Sequence, residues 1–178
     1  MKNLIVVAAL IFSLVSFAQS VAMVQDTSSK GILLNQLKET QEEMQWFVPL
    51  HAAIKNLTPA QAMWQPNDSS HSIVQLVSHL IFWNLQSLNT FKGMPGETAD
   101  INNNMTFANL PSGKWNAMVS RMDSISKAWE ETVSSTDRMT AKSYALVGRV
   151  STHNAYHTGQ IMYIRKQEHA WDSSKGVK

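Results

Sequence analysis

The chain has 178 residues, 44% of them hydrophobic, and a formal charge of +2. That is the length of one domain, with enough apolar surface to bury a core. It contains no cysteine, which excludes disulfides, thiolate metal sites, thiol nucleophiles and a lipidated-cysteine anchor. The charges are scattered rather than blocked, and nothing in them calls for nucleic acid.

Met1-Lys2-Asn3 makes a short basic start, Leu4 to Phe17 is an apolar run broken only by two serines, and the small residues Ala18, Ser20 and Ala22 follow. This is the order of a secretory signal peptide, and the run is shorter than a membrane span. We expect residues 1–22 to be removed on export, after Gln19, Ser20 or Ala22. The mature protein is then periplasmic or secreted, with no stable membrane insertion. Residues 23–30 read as a flexible leader and 31–178 as the folded domain.

From Gly31 onward, Ile32, Leu33, Leu34, Leu37, Met44, Phe47, Val48 and Ile54 recur at helical spacing, with Lys38, Glu39, Glu42 and Glu43 opposite. The pattern predicts a first helix over Ser29 to Asn56, which Pro49 either kinks or splits by detaching its last turns. Leu57-Thr58-Pro59-Ala60-Gln61 predicts a short helical turn with Thr58 as N-cap and Pro59 at its first position. Ser72 and Gln75 form a capping-box pattern ahead of an apolar run, so a second long helix starts at Ser70 to Ser72 and continues to Phe91. On it His79 shares a face with Leu76, Trp83 and Gln86.

Lys92 to Gly113, rich in Gly, Pro and Asn, exceeds the usual length of a connection, and such loops tend to be functional or to make a crossover. A third long helix is predicted over Ser112 to Ser134, with Trp115, Met118, Val119, Met122, Ile125 and Trp129 inward, and a fourth over Ser143 to Gln167. The fourth carries Leu146, Val150, His153, His157, Gln160, Ile161 and Ile164 on its inner stripe. Gly159 within it costs about 1 kcal/mol relative to alanine, which points to close approach of a neighbouring helix or a ligand. Residues 168–178 read as loop. Four amphipathic segments without strand alternation predict an all-α four-helix bundle, a fold that places metal and ligand sites between facing helices.

His153 and His157 stand four residues apart and therefore on one helix face. With His79 arriving from the second helix they make a three-imidazole set that suits zinc, nickel, iron or copper and leaves a position for water or substrate. Water at such a site is acidified by the ion. The same three residues also suit core histidines hydrogen-bonded to carbonyl groups. Asn154 stands where a zinc protease carries its glutamate base, so no proteolytic machinery is evident, and no inward carboxylate offers a general base. Tyr156, Gln160 and Trp83 lie near the three histidines by helix geometry and can orient a ligand, although Trp83 fits the core better. His51 suits a structural or exposed position and His71 a rim position; a closed, non-catalytic site would need one of them as a fourth ligand. His169 has no role assigned.

The run His153-Asn154-Ala155-Tyr156-His157-Thr158-Gly159-Gln160-Ile161, with Tyr163-Ile164-Arg165-Lys166 and then Trp171 and Lys175-Gly176-Val177-Lys178, resembles the last helix of the DinB family. Leu57-Thr58-Pro59-Ala60-Gln61 with Trp64 and Pro66, Ser72-Ile73, and His79-Leu80-Ile81-Phe82-Trp83-Asn84 resemble it in the same order. The resemblance implies a DinB/YfiT-like bundle in which His79, His153 and His157 hold a divalent metal, zinc or nickel before iron or copper. It also implies a small-molecule substrate and a homodimer, which many exposed-looking Met and Trp residues fit. Relatives include transferases and isomerases that use low-molecular-weight thiols, mainly cytosolic compounds, whereas this chain carries an export signal. A metal-dependent hydrolase or transferase is the expected function, and a non-catalytic metal or small-ligand binding bundle is the alternative.

Overall fold

Side-chain caps set where most of the helices begin. In the computed structural model, which describes residues 26–95, 101–109 and 111–175, all regular structure among those residues is helical. The expected signal peptide lies outside them. α1 (Ser29–Gln41) is capped by Ser28, whose side chain accepts from the Gly31 N–H. α2 (Leu50–Ile54) and α3 (Pro59–Met63) are short, and α3 has Thr58 as N-cap and Pro59 at its start, as predicted, with Gln61 completing a capping box that was not. α4 (Ile73–Phe91) opens on the reciprocal Ser72–Gln75 box. α5 (Trp115–Ser135) and α6 (Ala141–Gln167) complete the set, and Thr140 caps α6 two residues before the predicted start.

The four long helices form a ring in which α1 packs on α6 and α5, and α4 packs on α5 and α6. The predicted four-helix bundle is therefore observed, with one correction in its first segment. The last turns of the helix expected over Ser29 to Asn56 are split off at Pro49, one of the two expected outcomes, but the split is wider than expected: the chain leaves α1 at Glu42, runs irregularly through residues 42–49, and re-enters helix at α2 with Pro49 as N-cap. Proline lacks the N–H that a continuous helix needs and steers the preceding residue to extended backbone. Residues 42–46 are exposed, Met44 by 49% and Trp46 by 90%, so no buried face rewards continuing the helix through them. Arg165, buried in α6, then holds α2: its guanidinium donates to the carbonyls of Ala53 at 2.9 Å, Ala52 at 3.3 Å and Lys55 at 3.4 Å, and to Ala170 at 2.8 Å. One side chain thus satisfies helix-end carbonyls and ties the C-terminal segment to the bundle.

Just past the end of α6, His169 has a φ of +59°. The N–H groups of His169 and Ala170 return to the carbonyls of Lys166 and Arg165, the hydrogen-bond pattern of a Schellman stop. Gly159, by contrast, has no close helix beside it. A Cβ built there meets nothing within 4 Å, so helix approach does not explain this glycine; it lines a cavity of about 500 Å³ with His71, Tyr156 and Gln160.

Two apolar layers fill the bundle. One gathers Leu50, Ile54, Ile73, Leu76, Leu80, Met122 and Ile161, the other Leu37, Leu88, Ile125, Trp129, Val133, Val147 and Val150. Along α4 and α6 the buried polar residues His79, Asn84, Ser151, Asn154, His157 and Thr158 fall between these layers. Buried polar groups need partners, and those of Asn84 and Asn154 are each other. Asn84 donates to the Asn154 Oδ1 at 2.7 Å and Asn154 donates back at 3.2 Å, while Trp129 from α5 donates to the Asn84 carbonyl at 3.1 Å. This network fixes the register of α4 against α6, and that register places the histidines.

Candidate metal centre

His79 on α4 and His153 and His157 on α6 meet in the polar belt. The Nε2 atoms of His79 and His157 each lie 3.1 Å from the Nε2 of His153, and one ring nitrogen from each residue falls within 4.8 Å of the others. Two imidazole nitrogens on one tetrahedral zinc ion sit about 3.3 Å apart, given Zn–N bonds of about 2.0–2.1 Å.

Tautomers decide what this convergence means. Thr106 donates its single hydroxyl proton to the Asn103 carbonyl at 2.6 Å, so at 2.6 Å from Nδ1 of His79 it accepts. The amide oxygen of Gln160 accepts from Nδ1 of His157 at 2.6 Å. Both neutral rings therefore carry their proton on Nδ1 and turn an Nε2 lone pair toward His153. His153 can donate one proton to one of them at most, which leaves lone pair against lone pair on the other side. A divalent cation at the meeting point resolves that repulsion. Burial, with the neighbouring imidazoles adding to it, pushes His79 down to about 3 and His153 down to about 4, and burial also lowers His157. All three are neutral near pH 7, the state that ligates a metal without displacing protons. The three imidazoles lie close enough to hold one divalent ion, and the donor set fits it.

The long loop supplies what helix periodicity did not reveal. Phe107 stacks between two imidazoles, with ring centroids 4.0 Å from His79 on one side and 4.0 Å from His71 on the other. Asn103 accepts from the Trp83 indole at 3.1 Å. Trp83 is half-buried at a cavity wall, which corrects the expectation that it belongs to the core. Gln160 orients His157, and Tyr156, 64% exposed, has its hydroxyl 3.5 Å from the Gln160 amide nitrogen. The three groups expected to orient a ligand are thus at the site, while Thr106 was missed; the length of the loop was the one sign of it. His51 is engaged by Asp123 at 2.8 Å and His71 is stacked on Phe107, and neither has a ring nitrogen that joins the three-histidine cluster as a fourth ligand. Asn154 is committed to its buried amide pair.

In front of the three rings opens a cavity of about 570 Å³, walled by Trp83, Phe107, Leu146 and Val150. Removing the hydrogen bond behind His79 is expected to weaken the site: Thr106→Val should cost about 10- to 100-fold in zinc affinity, the usual effect of losing a ligand's outer hydrogen bond. Competition titration against a chromophoric chelator measures it, and unchanged affinity would contradict the role given to Thr106.

A helical bundle with three convergent imidazoles between two of its helices defines a class of small helical proteins with a metal-binding site. The family model of the DinB superfamily matches residues 36–161, and the chain belongs to that superfamily. Neither a curated protein nor a solved structure matches it.

Proposed function

We propose that the protein is a metal-dependent enzyme of the hydrolase or transferase class, acting on a small molecule, with zinc or nickel held by His79, His153 and His157. The observation that carries this reading is the pair of Nε2 lone pairs aimed at His153 by Thr106 and Gln160 at the mouth of a cavity. When bound, the ion supplies Lewis acidity to a substrate atom or a water. The chain's own residues do the rest. Thr106 and Gln160 hold the ring protons on Nδ1, Phe107 covers the outer face of His79, and the apolar walls exclude water from the substrate's body.

The other reading, a non-catalytic metal or small-ligand binding bundle, draws on the lack of a carboxylate base: no Asp or Glu among the described residues joins the histidines or lines the cavity. Cobalt substitution separates the two. Azide or a small thiol is expected to change the visible spectrum of the cobalt protein, and a spectrum indifferent to both favours the binding bundle. Export of the mature chain after Gln19, Ser20 or Ala22 and assembly as a homodimer belong to the same proposal. The order of segments in residues 1–22 supports export, and exposed Met105 and Tyr163 offer contact surface. N-terminal sequencing of the periplasmic fraction and sedimentation of the purified protein test them.

A further inference from the structure

The cavity in front of the histidines contains a charge that metal binding does not use. Arg149 stands on α6 one turn before His153 and lines the same cavity. It is exposed, and among the described residues no carboxylate forms an ion pair with Arg149. No acidic residue among those described lines the cavity. Three neutral imidazoles leave the full charge of a divalent ion uncompensated. With an ion bound, the cavity would be positive at two points, at residues one helical turn apart along α6, and Trp83, Phe107, Leu146 and Val150 line it with apolar surface. A guanidinium presents a planar fork of donors matched to an oxyanion, and low-dielectric walls strengthen its field within a cleft.

We infer that the ligand of this cavity is a small organic oxyanion, an apolar body bearing a carboxylate or a group of like geometry, which Arg149 receives while the reacting end faces the histidines. The inference rests on the metal reading and deepens it by naming the substrate class. Arg149 acts as a specificity-determining residue: it selects the anion and sets how far the substrate's reacting atom reaches toward the three rings.

Two hydroxamates of equal length test it on the zinc-loaded protein, one ending in a carboxylate and the other in a carboxamide. The hydroxamate end seeks the metal and the tail reaches toward Arg149. Calorimetric titration is expected to show the carboxylate-tailed compound binding about tenfold more tightly, as one exposed charge-assisted contact allows. In Arg149→Gln the preference should vanish while the carboxamide-tailed compound binds as before, and Arg149→Lys should retain part of it. Equal binding of both compounds to the parent protein, or a preference that persists in Arg149→Gln, overturns the oxyanion inference and leaves the metal site standing. Failure of both compounds to bind at all overturns the reading of the site as a metal with an open position, and this inference falls with it.

Discussion

Replacing His157 with alanine is expected to lower zinc affinity by more than about a hundredfold. Loss of a hydrogen bond behind a ligand already costs about 10- to 100-fold, and here a ligand itself is removed. The two imidazoles that remain, His79 and His153, lie on different helices and hold an ion by two bonds instead of three. The fold should survive, because His157 faces the cavity mouth and its removal leaves no cavity within either apolar layer. Thermal unfolding checks both halves of the expectation. Metal stabilises the native state by mass action, so excess zinc should raise the melting temperature of the parent and leave that of His157→Ala where it was. An equal rise in both proteins would show that the ion binds elsewhere.

The second large effect is on stability. Asn154→Ala is expected to cost about 2–4 kcal/mol, because it leaves the amide of Asn84 buried without its partner and removes packing from the middle of the bundle. Asn84 and Asn154 are 1% and 0% exposed, so water cannot replace the lost bonds without opening the helix pair. The double change Asn84→Ala with Asn154→Ala should cost less than the sum of the two single changes by about 1–3 kcal/mol, the coupling typical of residues in one network. Denaturant titration of the four proteins measures it. Strict additivity would mean that the amide pair does not hold α4 against α6. Zinc affinity should weaken in the single variants as well, since the same register brings His79 to His153.

Much of this architecture was legible in the sequence because its signals are local. The Thr58 cap with Pro59 and the Ser72–Gln75 box mark helix starts within four residues, and a spacing of four puts His153 and His157 on one face wherever the helix lies. His79 was legible as a histidine on an inward face. Its partner was not: Thr106 reaches it across 27 positions from a loop with no periodicity. The amide pair of Asn84 and Asn154 spans 70 positions, and two asparagines in separate helices carry no mark of facing each other. The split at Pro49 was legible, but its reach back to residue 42 was not, because the apolar spacing runs on through Met44 and Phe47, and only burial distinguishes a stripe that packs from one that does not. At Gly159 the sequence left a close helix and a ligand as alternatives for a related reason, since a glycine beside a cavity and one beside a close helix look alike in sequence. Arg149 carries no distinguishing mark in the sequence, and its place at the cavity emerges only with α4 set opposite.

Metal analysis of the untagged protein, isolated from the cells that make it, bears most directly on the three-histidine centre. Close to one equivalent of a divalent transition metal per chain is expected, and it should be lost when His79, His153 and His157 are all replaced by alanine. Stoichiometric metal that persists in the triple variant, or a parent protein that neither carries nor takes up an ion, would contradict the centre described above.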